Sequence, residues 1–261
     1  MKDIQNQQDN RNVDIQKVGI NDLTLPLTVQ RKNNTDQIVS AKARVCVSLP
    51  KNYKGTHMSR FVEVLNEWEH KQLLGADIKG CLEKVIKKLN AKSGELKFKF
   101  TYFIDKKSPV KKLSAPMAYE CSFEGRIIDG EYKFILGVAV PVTTLCPCSK
   151  EISDYGAHNQ RAIVKVKISY DEENQIWLED LIELVESCAS CPVYTLLKRE
   201  DEKFVTERAW ENPKFVEDVL RDVVIKLRQN KLINEFEVEC DAHESIHNHS
   251  AWAFQHEIKT N

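Results

Sequence analysis

The sequence predicts an α+β protein made of two successive strand–strand–helix–helix–strand–strand modules, each an antiparallel sheet with a helix pair on one face. Three observations predict it. Long stretches alternate apolar and polar residues with period two, as half-buried strands do. Each half of the chain carries apolar stripes at helical spacing between its strands. After the tight-turn pair Asp129-Gly130 the order of elements starts again. The boundaries read from this are a disordered tail over 1–15, a first module over 16–130 and a second over 131–261.

In the first half a strand is expected over 22–31, and Ala43, Val45, Val47 and Leu49 alternate in the next. A turn-rich loop, Pro50 to Thr56, leads to a helix with Phe61, Val62, Leu65 and Trp68 on one side. Ile78, Leu82, Val85, Ile86 and Leu89 mark a second helix. Leu96, Phe98, Phe100 and Tyr102 alternate in a strand, and another runs over about 115–128.

In the second half Tyr132, Phe134, Leu136, Val138, Val140 and Val142 alternate over a long strand, followed by Val164, Val166 and Ile168 in the next. Leu178, Leu181, Ile182 and Val185 define a helix. The segment LLKREDEKFVTE over 196–207 mixes both charges and reads as a solvated loop. Asn212 and Pro213 look like the N-cap and first-turn pair of a helix whose stripe runs from Phe215 to Leu227. Phe236, Val238 and Cys240 alternate after it, and a last strand covers about 250–257.

Composition excludes several function classes. Thirty-eight basic and thirty-nine acidic side chains give a formal charge of −1, so there is no general field for nucleic acid or for an anionic membrane. No apolar run approaches the ~20 residues a bilayer span needs. The opening residues MKDIQNQQDN lack the apolar core of a signal peptide. Eight cysteines thinly spread over 261 residues read as reduced thiols of a cytoplasmic protein, with Cys46, Cys81 and Cys121 in core patterns.

The chemistry concentrates in the second half. In PVTTLCPCSKEISDYGAHNQR, over 141–161, an apolar strand ends at Leu145, and Cys146 and Cys148 flank Pro147 in what reads as a stiff exposed turn. His158 follows just before the next strand. Thiolate and imidazole at two ends of one loop suit a borderline-soft cation such as zinc; the same residues also fit two small apolar side chains and a surface histidine. Five of the seven histidines lie in this half, four of them at 243, 247, 249 and 256. The cluster HESIHNHS over 243–250 fits either a solvated loop or metal ligands, and its company with Cys146, Cys148 and His158 favours the metal. Cys188-x-x-Cys191 has a zinc or redox spacing, but its place at the end of an apolar stripe favours packing.

Together with NPKFVEDVLRDV over 212–223 and KGTHMSRFVE over 54–63, these segments resemble the type IB GTP cyclohydrolases, in the same order and over nearly the whole chain beyond the tail. The resemblance implies a tandem tunnelling fold assembled into a homotetramer. It implies a metal-dependent hydrolase that converts GTP and water to 7,8-dihydroneopterin triphosphate and formate, the first step of folate biosynthesis. It further implies Cys146, His158, Glu202 and His247 as ligands of a zinc, manganese or iron ion, Glu217 as the guanine anchor, and Cys148 and Glu244 at the reacting centre. Beside it, His57 and Arg60 at a helix start suit a triphosphate, or ordinary capping. Without the resemblance, Glu217 reads as half of a surface ion pair with Arg221. Residues of the first module are expected to complete a pocket formed by the second. Two rivals share these features: a related enzyme that opens GTP but releases a cyclic phosphate, and a non-enzymatic module stapled by a closed metal site.

Overall fold

The computed structural model describes residue 5 and residues 7–68 and 75–259. The expected tail lies partly outside them, at residues 1–4 and 6. The strands are β1 (Ile15–Gln30), β2 (Asp36–Leu49), β3 (Gly94–Lys107), β4 (Ser114–Ile128), β5 (Glu131–Leu145), β6 (Asn159–Tyr170), the short β7 (Cys191–Pro192), β8 (Ile233–His243) and β9 (Ser250–Ile258). The helices are α1 (Met58–Asn66), α2 (Gly75–Leu89), α3 (Pro147–Ile152), α4 (Leu178–Glu186), α5 (Arg199–Glu211) and α6 (Val216–Gln229). Hydrogen-bonded strand order is β1-β2-β3-β4-β5-β6-β8-β9, with β7 paired to β5. This is the expected α+β architecture. No helix among the described residues is long and apolar enough to cross a membrane.

The chain divides into two compact units. One comprises Met1–Thr101, Ser122–Leu136 and Asp171–Gln175. Its β1 and β2 pair antiparallel, Leu27 opposite Val39, and β2 continues onto β3 with Ala41 opposite Phe100. Alternate residues of these strands are buried, and Phe61, Val64 and Leu65 of α1 and Ile78, Cys81, Leu82 and Val85 of α2 join the core. The turn from β4 to β5 places both Asp129 (φ 52°) and Gly130 (φ 85°) at positive φ, as a two-residue hairpin whose twist matches its strands requires.

The other unit comprises Tyr102–Cys121, Gly137–Tyr170 and Ile176–Asn261. Val166 of β6 faces Val238 of β8, and Cys240 of β8 faces Ala253 of β9. Leu181, Ile182 and Val185 of α4 and Val219, Val223, Val224 and Leu227 of α6 are buried. The i, i+4, i+8 series of Val219, Val223 and Leu227 keeps one face of α6 inward.

Three local expectations are corrected. Residues 199–211 are the helix α5, not a loop. Its only buried residues are Asp201 and Ala209, so it carries no apolar stripe to read. It is held at its start instead: Asp201 accepts the N–H groups of Lys198 (3.0 Å), Val110 (2.7 Å) and Lys111 (2.9 Å). Burial opposes ionisation of Asp201, but these backbone bonds outweigh it and hold the carboxyl at about 2. Acidic residues at 200–202 also complement the helix dipole. Second, Asn212 caps the end of α5 and α6 begins only at Val216, leaving Phe215 40% exposed rather than in the buried stripe. Third, the Cys-Pro-Cys segment is the first turn of the helix α3. Proline's fixed φ and missing donor suit the first helical position as well as a turn.

Candidate functional site

Where β5 ends, the backbone is fastened on both sides. Leu145 donates to Ser190 Oγ (3.1 Å) and its carbonyl accepts the Lys214 N–H (3.0 Å). Beneath it Leu145, Cys191 and Ala209 form a small apolar cluster with Ala157 and Val205 packed against it. Cys191 of β7 stands opposite Thr143 of β5. Cys188 and Cys191 are both buried, burial pushes both thiols up, and Cys188 Sγ lies 3.2 Å from the Leu184 carbonyl. Both thiols are buried, and Cys191 belongs to the apolar cluster under Leu145.

Cys146 is the N-cap of α3, with Pro147 following, and its sulfur accepts the Ser149 N–H at 3.4 Å. Ser149 Oγ donates to the Cys146 carbonyl (3.1 Å) and accepts the His158 N–H (3.2 Å). The Cys146 N–H closes the ring by donating to the His158 carbonyl at 3.1 Å. Lys150, one turn on, lies over the Trp210 ring of α5, 4.8 Å from its centroid. The loop thus pairs the backbones of Cys146 and His158, while Cys148 is exposed on the first turn of α3.

A polar chain continues from His158. Its Nδ1 lies 3.0 Å from Gln160 Oε1, and Gln160 Nε2 donates to Glu244 Oε1 at 3.2 Å. Glu244 Oε2 is 3.8 Å from the same Nδ1, and Ser245 Oγ is 3.5 Å away. The structure thereby brings Cys146, His158 and Glu244 to one corner, where β5, β6 and β8 end or begin. Gln160, Ser149 and Ser190 were not singled out in the sequence. Gln160 had a readable signal, because it lies two residues from His158, the spacing that puts side chains on one side of an extended chain.

The other expected ligands are not gathered there. The His247 ring stacks on His249 with centroids 5.1 Å apart, and His247 is exposed. Glu202 is exposed on α5, where its carbonyl accepts the Thr206 hydroxyl at 2.8 Å. Among the described residues no group of three or more His, Cys, Asp or Glu side chains is arranged to hold a metal ion. A thiolate and an imidazole fit a borderline-soft cation such as zinc, so the donor types at Cys146 and His158 are compatible with a metal ion.

Glu217 is exposed in the first turn of α6. It makes no pair with Arg221, which instead contacts Asp218 at 3.3 Å. In the first unit, His57 is the N-cap of α1, its carbonyl accepting the Arg60 N–H at 3.1 Å, while the Arg60 guanidinium reaches the Lys88 carbonyl at 3.4 Å. That unit also holds a cavity of about 610 Å³ lined by Lys17, Cys46, Lys92, Glu95 and Arg126 among others. None of the expected site residues lines it.

Comparison with known proteins adds three findings. A family model described as type I GTP cyclohydrolase folE2 matches residues 1–253. The GTP cyclohydrolase FolE2 of Geotalea uraniireducens is 50% identical over 253 residues, spanning 97% of this chain and 92% of the relative. That of Thermosipho africanus is also 50% identical over 253 residues, spanning 97% of this chain and 96% of the relative. Among solved structures, uricase from Arthrobacter globiformis superposes with a TM-score of 0.54 at 8% identity, over 93% of each chain. Urate oxidase from Bacillus sp. TB-90 gives 0.55 at 10% identity, over 95% of this chain and all of the other (100%). At such low identity these two bear on the fold alone, and they match the expected tunnelling fold.

Proposed function

The chain belongs to the type I GTP cyclohydrolase folE2 family, and from that premise we propose how it works. It hydrolyses GTP to 7,8-dihydroneopterin triphosphate and formate, the entry step of folate biosynthesis. The observation that carries this is 50% identity to GTP cyclohydrolases along 97% of the chain, with Cys146, His158 and Glu244 meeting at one corner. Within the family we place it in the type IB subdivision, as a cytoplasmic homotetramer of chains each holding two modules, over 16–130 and 131–261.

Cys146 and His158 would hold a divalent zinc, manganese or iron ion, with Glu202 and His247 as the further ligands that the family resemblance implies. When bound, such an ion would supply Lewis acidity for the attack of water on guanine. Glu217 accepts from guanine N1–H and the exocyclic amine together, a bidentate charge-assisted pair that adenine cannot make. Its exposure at the start of α6 leaves the carboxylate accessible to a base. Glu244, beside His158, moves protons to and from the ring nitrogens as the imidazole opens. Cys148 lines the same reacting centre. His57 and Arg60 take the triphosphate, as a helix N-terminus with cationic side chains suits polyanions.

The test is to incubate metal-reconstituted protein with GTP and analyse the products. Formate and a pterin that becomes fluorescent on oxidation, with its triphosphate intact, are expected. A cyclic phosphate product, or recovery of unchanged GTP, would overturn the reading.

A further inference from the structure

We propose that Gln160 is a positioning residue that fixes which nitrogen of His158 is available to a metal ion. The inference deepens the reading above and rests on His158 being a ligand. Gln160 is the second residue of β6 and only 9% exposed, and His158 stands two positions before it on the same side of the chain. An amide has two unlike ends, and here each has a different neighbour. Glu244 Oε1 lies 3.2 Å from the amide nitrogen and His158 Nδ1 lies 3.0 Å from the amide oxygen. An ionised carboxylate only accepts hydrogen bonds, so Glu244 holds the NH₂ end and turns the oxygen to the imidazole. An amide oxygen only accepts as well. The ring nitrogen facing it must therefore carry the proton.

The rest of the surroundings agree. Ser245 Oγ at 3.5 Å and Glu244 Oε2 at 3.8 Å also face Nδ1, and both can accept. With Nδ1 protonated, Nε2 is the lone-pair nitrogen of the neutral ring. A ligating histidine needs such a division of its two nitrogens, and the group that sets it also holds the ring plane. Gln160 thus links Glu244, at the reacting centre, to the ligand His158 without touching either metal or substrate.

Two measurements test this. In metal-free protein with ¹⁵N-labelled histidine, long-range proton–nitrogen correlations report the tautomer of each ring, and the His158 signals are identified by their loss in His158→Ala. The Nδ1-protonated form is expected for His158, and the Nε2-protonated form would overturn the proposal without any variant at Gln160 having to fold. Zinc affinity is then measured against a chromophoric chelator. Gln160→Leu should weaken binding about 10- to 100-fold. Gln160→Glu combined with Glu244→Gln, which exchanges the two groups and restores an acceptor opposite Nδ1, should recover most of the loss. Wild-type affinity in Gln160→Leu would refute the positioning role if His158→Ala has lost the metal. Undiminished affinity in His158→Ala would instead refute the ligand reading beneath it.

Discussion

Two carboxylate systems, a buried one in the first unit and a partly buried one in the second, solve opposite problems. In the first unit Glu95 is buried to 4% side-chain exposure and meets three cations: Lys17 at 2.6 Å, Arg44 at 2.6 Å and Arg126 at 3.5 Å. Arg126 also bridges to the buried Glu124, whose other partner is Lys97 at 2.7 Å. Burial works against ionisation of Glu95, yet the bonds from Lys17 and Arg44 outweigh it and hold the carboxyl below its ordinary value. Glu124 is lowered likewise, burial again opposing and Lys97 prevailing. In the second unit Glu244 has no comparable ring of cations among the described residues; its side-chain contacts there are the Gln160 amide and the His158 imidazole. The first arrangement saturates its charges with fixed partners and holds sheet strands together. The second orients a ring and leaves reactive groups able to engage something else. Burial alone does not separate structure from function; the hydrogen-bonding capacity that remains after the partners are counted does.

The largest effect expected on this contrast is at Cys146. Cys146→Ala removes a thiolate ligand outright, so metal affinity and GTP turnover should each fall by more than the roughly 100-fold typical of losing an outer partner. Thermal unfolding of the metal-free protein should hardly change. Stoichiometric metal in that variant would remove Cys146 from the site. Glu217→Gln comes next. It deletes a charged acceptor for two guanine donors, a change of about 1.5–3 kcal/mol, or roughly 10- to 150-fold in kcat/KM for GTP. Metal content should stay intact, and wild-type kinetics would reduce Glu217 to a helix-surface charge.

Glu95→Gln should invert the pattern, changing stability and not turnover. Its partners Lys17 and Arg44 are about half exposed and rehydrate, so the loss is about 1–2 kcal/mol rather than the 3–5 of a pair buried on both sides. The pH dependence has a definite sign. The folded-state values of Glu95 and Glu124 lie below the unfolded ones. Their contribution is therefore full above the ordinary glutamate value of about 4.3 and is lost as pH falls through the lowered values. Chemical denaturation at pH 7 and in acid should show the gap between wild type and variant closing in acid. A pH-independent gap would mean that packing, not charge, holds Glu95. The smallest effect belongs to the exposed Arg221–Asp218 contact at 3.3 Å; Arg221→Ala should cost no more than about 0.5 kcal/mol.

Much of the architecture was legible because it repeats a simple period. Alternation in Val164, Val166 and Ile168, and the 219-223-227 spacing of α6, are direct images of burial. What escaped was structure held by single polar contacts. The helix α5 has a start fixed by the Asp201 carboxylate and almost no buried apolar residue, so a charge-rich segment looked like a loop. Asn212 and Pro213 carry a capping signal that does not say which of two adjoining helices it serves. The meeting of Cys146 and His158 was readable from their positions, since a strand end and a strand start frame them. The placement of Glu202 and His247 depends on side-chain arrangements that no local pattern encodes.

The Asp201 carboxylate accepts N–H groups from the adjacent residues 110 and 111 and from the distant residue 198. One side chain thus makes the β3–β4 link and the start of α5 answer to the same opening event. In hydrogen exchange the amides of Val110, Lys111 and Lys198 should behave as a single kinetic group, although two of them sit in a connecting loop. Protons there exchange when the carboxylate lets go, and not as each backbone segment frays by itself.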